Sequence, residues 1–231
     1  MWIKKIVSVF ILFAGSLTVF GQQTEFRPRI GVGNYSMSGL KGMLQESVKS
    51  SPFDLKTTEN FPTYVFYGMD MIHCVTPNFG MGITSGFYST GGRNHYADYS
   101  GSYREDFLVN SINIGLLATN KDTLGAGFFY TIEFASGIKF SSISIEQDLK
   151  LSDYQEDTKT DLSSKGLWIE PQVRFGRNLF PDFSCSVFAG YEYNFKSKMV
   201  LKENHDLSTS AKIDWSGMRT GISFVYSVRY E

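Results

Sequence analysis

Three histidines, two cysteines and one acid-rich stretch are the side chains of this chain that could do chemistry. A hydrolytic site needs a histidine beside a serine or cysteine, oriented by an acid. His95 or His205 with a nearby aspartate could supply one by geometry, but nothing around them marks a nucleophile, and His73 falls on a strand. A zinc site needs further His or Cys ligands at close spacing, and none of the three histidines has such a neighbour. No catalytic residue, metal ligand or cofactor is therefore expected. Cys74 and Cys185 read as isolated small hydrophobes. They fall on the second and seventh predicted strands, which should neither adjoin nor face the same way, so a disulfide is not expected. Six acids (Glu146, Asp148, Asp153, Glu156, Asp157 and Asp161) against Lys150 and Lys159 make 146–161 an acidic loop. Calcium, or a divalent bridge to lipopolysaccharide, is chemistry open to it. The spacing of an EF-hand is missing, and a solvated loop is the plainer reading.

A second set of charges lies inside otherwise apolar strands: Arg29, Asp70, Glu133, Lys139, Glu170, Arg174, Glu192, Lys196, Arg219 and Arg229. All are read as pointing inward. A charge in a narrow interior must be paired or hydrated. The set is read as a structural plug of ion pairs, with a gated polar pore as the functional alternative. Glu133, Glu170 and Arg174 in particular should lie inside, with opposite charges in reach.

The elements that carry these charges are eight stretches of two-residue alternation, at 27–36, 63–74, 79–90, 102–118, 126–145, 165–176, 183–196 and from about 214 to the end. One face of each is Phe, Ile, Leu, Val, Met or Tyr; the other is Gly, Ser, Ala, Thr and the charges. The fifth is clearest: Phe128, Tyr130, Ile132, Phe134, Ile138 and Phe140 alternate with Phe129, Thr131, Glu133, Ala135, Gly137 and Lys139. Such stretches suffice to cross a bilayer at ~9–11 tilted residues each. Connections after the second, fourth and sixth are short, and the others are long polar loops. The first long connection holds an amphipathic helix near 38–50, with Leu40, Met43, Leu44 and Val48 at helical spacing. That helix could cap the interior, lie on the rim or meet a partner.

Two architectures alternate in this way. In a soluble lipocalin-like barrel the apolar face points inward around a ligand. In a membrane barrel it faces lipid. A solvated face should be dense in Lys, Glu, Asp and Thr, whereas this polar face is dominated by small residues suited to a narrow, crowded lumen. The lipid-facing arrangement is therefore expected: an all-β, up-and-down antiparallel transmembrane barrel of eight strands. At the N-terminus, Lys4 and Lys5 precede an apolar run from Ile6 to Ala14 and a small-residue exit at Val19 and Gly21. This reads as a signal peptide over 1–21, leaving 22–231 as the barrel domain. Ile6 to Phe20 is too short for a spanning helix. Basic and acidic residues number 22 and 23, which leaves no electrostatic footprint for nucleic acid.

The segment GVGNYSMSGLKGMLQ, the leader ending before Gln22 and the closing GISFVYSVRYE together resemble the outer-membrane β-barrel domain proteins of Bacteroidetes. The likeness spans the whole mature chain. It implies a barrel of eight to ten strands in the outer membrane and no shared catalytic residue. A monomer is expected, in contact with outer-membrane lipid and lipopolysaccharide and inserted by the barrel assembly machinery. The N-terminus would be periplasmic, and the long loops extracellular.

Overall fold

The computed structural model of the protein describes residues 23–52, 54–151, 153–204 and 207–229. The expected leader, His205 and Tyr230 lie outside the described residues. Alternating side chains produce long strands, because successive Cβ atoms point to opposite faces of a pleated sheet. The strands are β1 (Gln23–Gly33), β2 (Lys56–Asn60), β3 (Tyr64–Cys74), β4 (Phe79–Asp98), β5 (Gly101–Gly125), β6 (Phe128–Leu151), β7 (Tyr154–Phe180), β8 (Phe183–Asn194), β9 (Ser197–Leu201), β10 (Ser208–Ile213) and β11 (Gly217–Arg229). Among the described residues one helix, α1 (Ser38–Ser50), interrupts them.

Antiparallel pairing runs from β7 through β6, β5, β4, β3, β1, β11 and β8, and β8 pairs again with β7. The sheet therefore closes on itself and leaves no edge in its wall. The remaining strands hang from this ring: β2 pairs with β4, β9 with β7, and β10 with β9. The described residues thus form eleven strands where eight were expected. The three extra ones are short segments of the long connections, five or six residues each and too brief to show alternation. Two interruptions of the ring have a common cause. Pairing lapses between Phe26 and Arg29 on the β11 side of β1, around Pro28, and between Ile169 and Gln172 on the β8 side of β7, around Pro171. Proline has no N–H to give a ladder.

The acidic loop expected at 146–161 and the polar loop at 91–101 are ladder instead. β4 pairs with β5 up to Asp98↔Gly101, where a tight turn closes the hairpin, and β6 pairs with β7 up to Leu151↔Tyr154. Backbone pairing outlasts the hydrophobic alternation, because above the apolar band the outward face turns charged. The three connections at the opposite rim, 75–78, 126–127 and 181–182, are short as expected. At 125–127 the turn holds Gly125, Ala126 and Gly127 all at positive φ (86°, 51° and 79°), a conformation that glycine adopts without strain. The chain's described ends, Gln23 and Arg229, pair with each other at this same rim.

The apolar face of the ring points outward. Ile132 is 58% exposed, Phe134 51% and Phe224 44%. Val65, Met69, Ile83, Ile114, Leu167 and Val187 are likewise exposed around the circumference. The lipocalin-like arrangement, which needs these side chains inside, is overturned. Cys74 and Cys185 are free thiols on β3 and β8, which β1 and β11 separate in the ring.

Candidate functional site: a filled lumen in two layers

Eight of the ten candidate charges are buried inside the ring: Arg29, Asp70, Glu133, Lys139, Glu170, Arg174, Glu192 and Arg219. Inward parity and a narrow ring leave their side chains nowhere to go but across the lumen. Lys196 and Arg229 are not among them. Lys196 lies past the end of β8, where strand parity no longer applies; its side chain is 58% exposed, 3.7 Å from Asp214. Arg229 sits at the mouth of the short-turn rim, donates to the Pro181 carbonyl and stands 3.7 Å from Asp182, both on the surface.

Two buried charges of β1 escaped the sequence reading, Glu25 and Arg27. They share parity with Arg29 on the same strand, so extending the alternation back through Pro28 would have found them. With them the pairs form one chain of alternating sign. It starts at the short-turn rim, where Lys121 meets Glu25 at 3.2 Å. Glu25 pairs with Arg27 at 3.1 Å, and Arg27 donates a short hydrogen bond to Glu133 across the lumen. Arg174 grips the same carboxylate through Nε at 3.2 Å and Nη2 at 3.1 Å, a two-point fork that favours a planar guanidinium over an ammonium. Gln172 is the third residue to donate to Glu133, at 2.6 Å. Asp70 lies 3.9 Å from Arg174 and 3.5 Å from Arg29, and it accepts from the Thr84 hydroxyl at 2.6 Å. Arg29 in turn lies 4.0 Å from Glu170, and Arg219 bridges Glu170 at 3.9 Å to Glu192 at 2.7 Å. Lys139 closes the chain on Glu192.

Among the described residues of this layer, five bases (Arg27, Arg29, Lys139, Arg174, Arg219) stand against five acids (Glu25, Asp70, Glu133, Glu170, Glu192). Balance of this kind lets charges sit out of bulk water, because each has a partner of opposite sign. Both Glu170 oxygens and the Arg219 nitrogens are held by charge alone, without aligned hydrogen bonds. Beside Arg29, Asp70, Glu133 and Glu170 remains a cavity of about 10 Å³, roughly the room of one water.

A different layer begins where the chain of charges ends. Lys139 lies over the rings of Tyr88 (4.3 Å) and Trp215 (5.2 Å), and Arg219 over Tyr88 (4.2 Å). Beyond them the interior is apolar: Phe66, Phe107, Val109, Ile143, Leu162 and Trp215 are buried together with Leu40 and Leu44 of α1. The helix therefore caps the interior, with Leu40 and Leu44 fully buried and Val48 only half so. One carboxylate pins it there. Glu105, 2% exposed, accepts hydrogen bonds from Ser47 of α1 (3.2 Å), Asn94 (3.0 Å) and Gln147 (2.9 Å).

The described groups weighed for chemistry stay apart. His73 touches Thr24 at 3.3 Å on the outer side of the wall, and His95 is exposed on β4. Among the described residues, no three His, Cys, Asp or Glu are grouped so as to hold a metal ion. The hairpin tip is ordered by Asp98, which accepts from the Ser100 amide (2.8 Å), the Ser100 hydroxyl (2.6 Å), the Gly101 amide (3.1 Å) and the Tyr96 hydroxyl (2.6 Å). The Ser100 and Tyr96 hydroxyls hold the Asp98 carboxyl down at about 2.

No protein-family model matches the chain, and no curated protein does. Solved structures do. A major outer membrane protein from Thermus thermophilus aligns over 89% of this chain and 99% of its own, with 12% identity and a TM-score of 0.50. Ail, the attachment invasion locus protein of Yersinia pestis, aligns over 91% of this chain and 100% of its own, with 12% identity and a TM-score of 0.37. The N-terminal β-barrel domain of OprF from Pseudomonas aeruginosa covers 90% of this chain and 99% of its own, at 12% identity and a TM-score of 0.35. At such identity the likeness is one of fold: an all-β antiparallel ring of the kind found in outer-membrane barrels.

Proposed function

We propose that this chain is an integral outer-membrane β-barrel that performs no catalysis. It serves the envelope as a structural, adhesive or accessory protein through the part that projects beyond the wall. The observation that carries this reading is the inversion of the ring: apolar side chains outside, a charge-balanced and closely filled interior inside. An exposed belt of this size would be insoluble in water and is satisfied by acyl chains. Tyr67, Tyr191, Tyr193 and Tyr226 on the belt suit the interface, where an aromatic ring with a polar tip is favoured.

In this reading the eight ring strands cross the membrane. The short-turn rim and the N-terminus face the periplasm, and the tall hairpins and α1 face outward. The protein is a monomer in contact with lipid and lipopolysaccharide, delivered by the barrel assembly machinery after loss of residues 1–21. Kinship with the Bacteroidetes barrel proteins belongs to the same reading. Heat-modifiable gel migration of protein extracted from outer membranes tests closure and location together; migration that heating leaves unchanged would sink it. Passive passage of small solutes is the rival reading. Glu170 favours it, since its oxygens lack aligned hydrogen bonds and it lines the water-sized cavity, as a group on a hydrated path would. Planar bilayers separate the two: the filled barrel gives no stepwise current, and a passage protein does.

A further inference from the structure

Above the apolar band, β4 to β7 continue as one sheet, and its two margins differ. On the β4 side, β2 covers residues 92–95. On the β7 side, β9 covers only Leu162, Ser163 and Ser164. From Tyr154 to Thr160, β7 pairs with β6 alone among the described residues. The direction of its free backbone groups follows from one bond. The Asp161 carbonyl accepts from the Lys202 amide at 3.0 Å, so Asp161 points its backbone away from β6. In an antiparallel ladder alternate residues aim both N–H and C=O to the same side. The β6–β7 register is unbroken. Gln155, Asp157 and Lys159 therefore aim their amides and carbonyls away from β6, where no described residue pairs with them.

The charge along this margin is one-sided. Lys159 is held by Glu146 at 2.9 Å, and Lys150 by Asp148 at 3.0 Å. Asp153, Glu156, Asp157 and Asp161 have no basic partner within salt-bridge distance among the described residues. Two copies brought edge to edge would set acid against acid, which is how natural edges refuse their own kind. A cationic strand meets no such barrier.

We infer that the free margin of β7 at Gln155, Asp157 and Lys159 is a docking edge for an extended, lysine- or arginine-bearing segment of another protein, which adds as a further strand. Backbone bonds supply the register, and the acids that lack a basic partner select the charge. The inference rests on the reading that this sheet projects outside the cell.

The test uses the full chain refolded in zwitterionic detergent, with a ten-residue peptide of alternating lysine and valine as probe and empty micelles as the blank. Fluorescence anisotropy should show the lysine peptide binding at least tenfold tighter than its glutamate counterpart. Asp157→Pro removes an edge N–H without removing a β6 bond, and should weaken binding about tenfold. Equal affinity for the variant, or binding no better than to empty micelles, overturns the inference. Should the variant fail to fold, hydrogen exchange on the unaltered protein decides. The amides of Gln155, Asp157 and Lys159 should exchange rapidly in the free chain and slow at least tenfold with peptide; unchanged rates overturn it. Loss of heat-modifiable migration would instead defeat the barrel reading, so the two failures are distinguishable.

Discussion

One wall encloses two interiors. Nearer the short turns, wall side chains cross the lumen and meet partners on distant strands, as Arg27 of β1 does with Glu133 of β6 and Lys139 of β6 with Glu192 of β8. Nearer the long connections, wall side chains meet apolar groups from α1 and from the segment that holds Trp215. The contrast separates two uses of burial. Ion pairs out of water give little net stability compared with apolar side chains of the same shape, yet breaking one is expensive because it strands the survivor. Apolar packing stabilises in proportion to the area covered. The charged layer thus fixes which strands face each other, and the apolar layer holds the roof down. The aromatic rings of Tyr88 and Trp215 let the two meet, since a cation over a ring face is attracted to it.

The largest expected effect falls on the node of the charged layer. Glu133→Leu leaves Arg27 with Glu25 alone and Arg174 with only Asp70, 3.9 Å away, so one positive charge in excess stays buried, and it should cost about 3–5 kcal/mol or abolish folding. Urea unfolding in micelles, read by heat-modifiable migration, checks it. In the apolar layer Trp215→Ala opens a cavity among Tyr35, Tyr88 and α1, and should cost about 3 kcal/mol by the same measurement. A Glu133→Leu protein more stable than Trp215→Ala would break the comparison, since the ion pairs would then be ornament.

The sequence made the charged layer legible and hid the apolar one, for a physical reason. Parity alone places a charge inside once the outward face is known, so Glu133, Glu170 and Arg174 could be assigned without a neighbour in view. Their chosen partners depend on how strands stagger around the ring, which alternation does not encode. Phe66, Tyr88, Phe107 and Phe188 sit at inward parity too. Alternation alone gives no partner for them, because the helix that covers the roof comes from elsewhere in the chain. Leu40 and Leu44 showed helical spacing, but nothing in that spacing says where a helix docks. The tall hairpins look like loops in the sequence because their outer face is charged; the ladder beneath is made of backbone, which leaves no trace in side-chain type.

A middle-sized effect tests which layer does the plugging. Gly39 of α1 lies against β10, and a Cβ there would overlap the Lys212 carbonyl oxygen, a backbone atom that cannot step aside. Gly39→Val should lift the helix at a cost of about 1–3 kcal/mol. The charged layer beneath is untouched, so the variant should still give no stepwise current in planar bilayers. Current in this variant would assign the seal to the apolar roof.

The smallest effect lies outside both layers, at the tip of the β4–β5 hairpin. Asp98 titrates near 2, below the ordinary aspartate value of 3.8, because hydrogen bonds from Ser100 and Tyr96 favour its charged form. A carboxyl depressed on folding contributes order that is complete above the ordinary value and lost as pH falls through the lowered one. The Ser100 and Gly101 amide resonances should therefore hold their positions down to about pH 3 and move with a midpoint near 2. Because the tip is fully solvated and shares no packing with the lumen, Asp98→Ala should shift those two amides and leave the urea midpoint of the ring where it was. A ring that softened with this variant would mean that the hairpins and the two layers unfold as one unit, and the separation between wall and projection would fail.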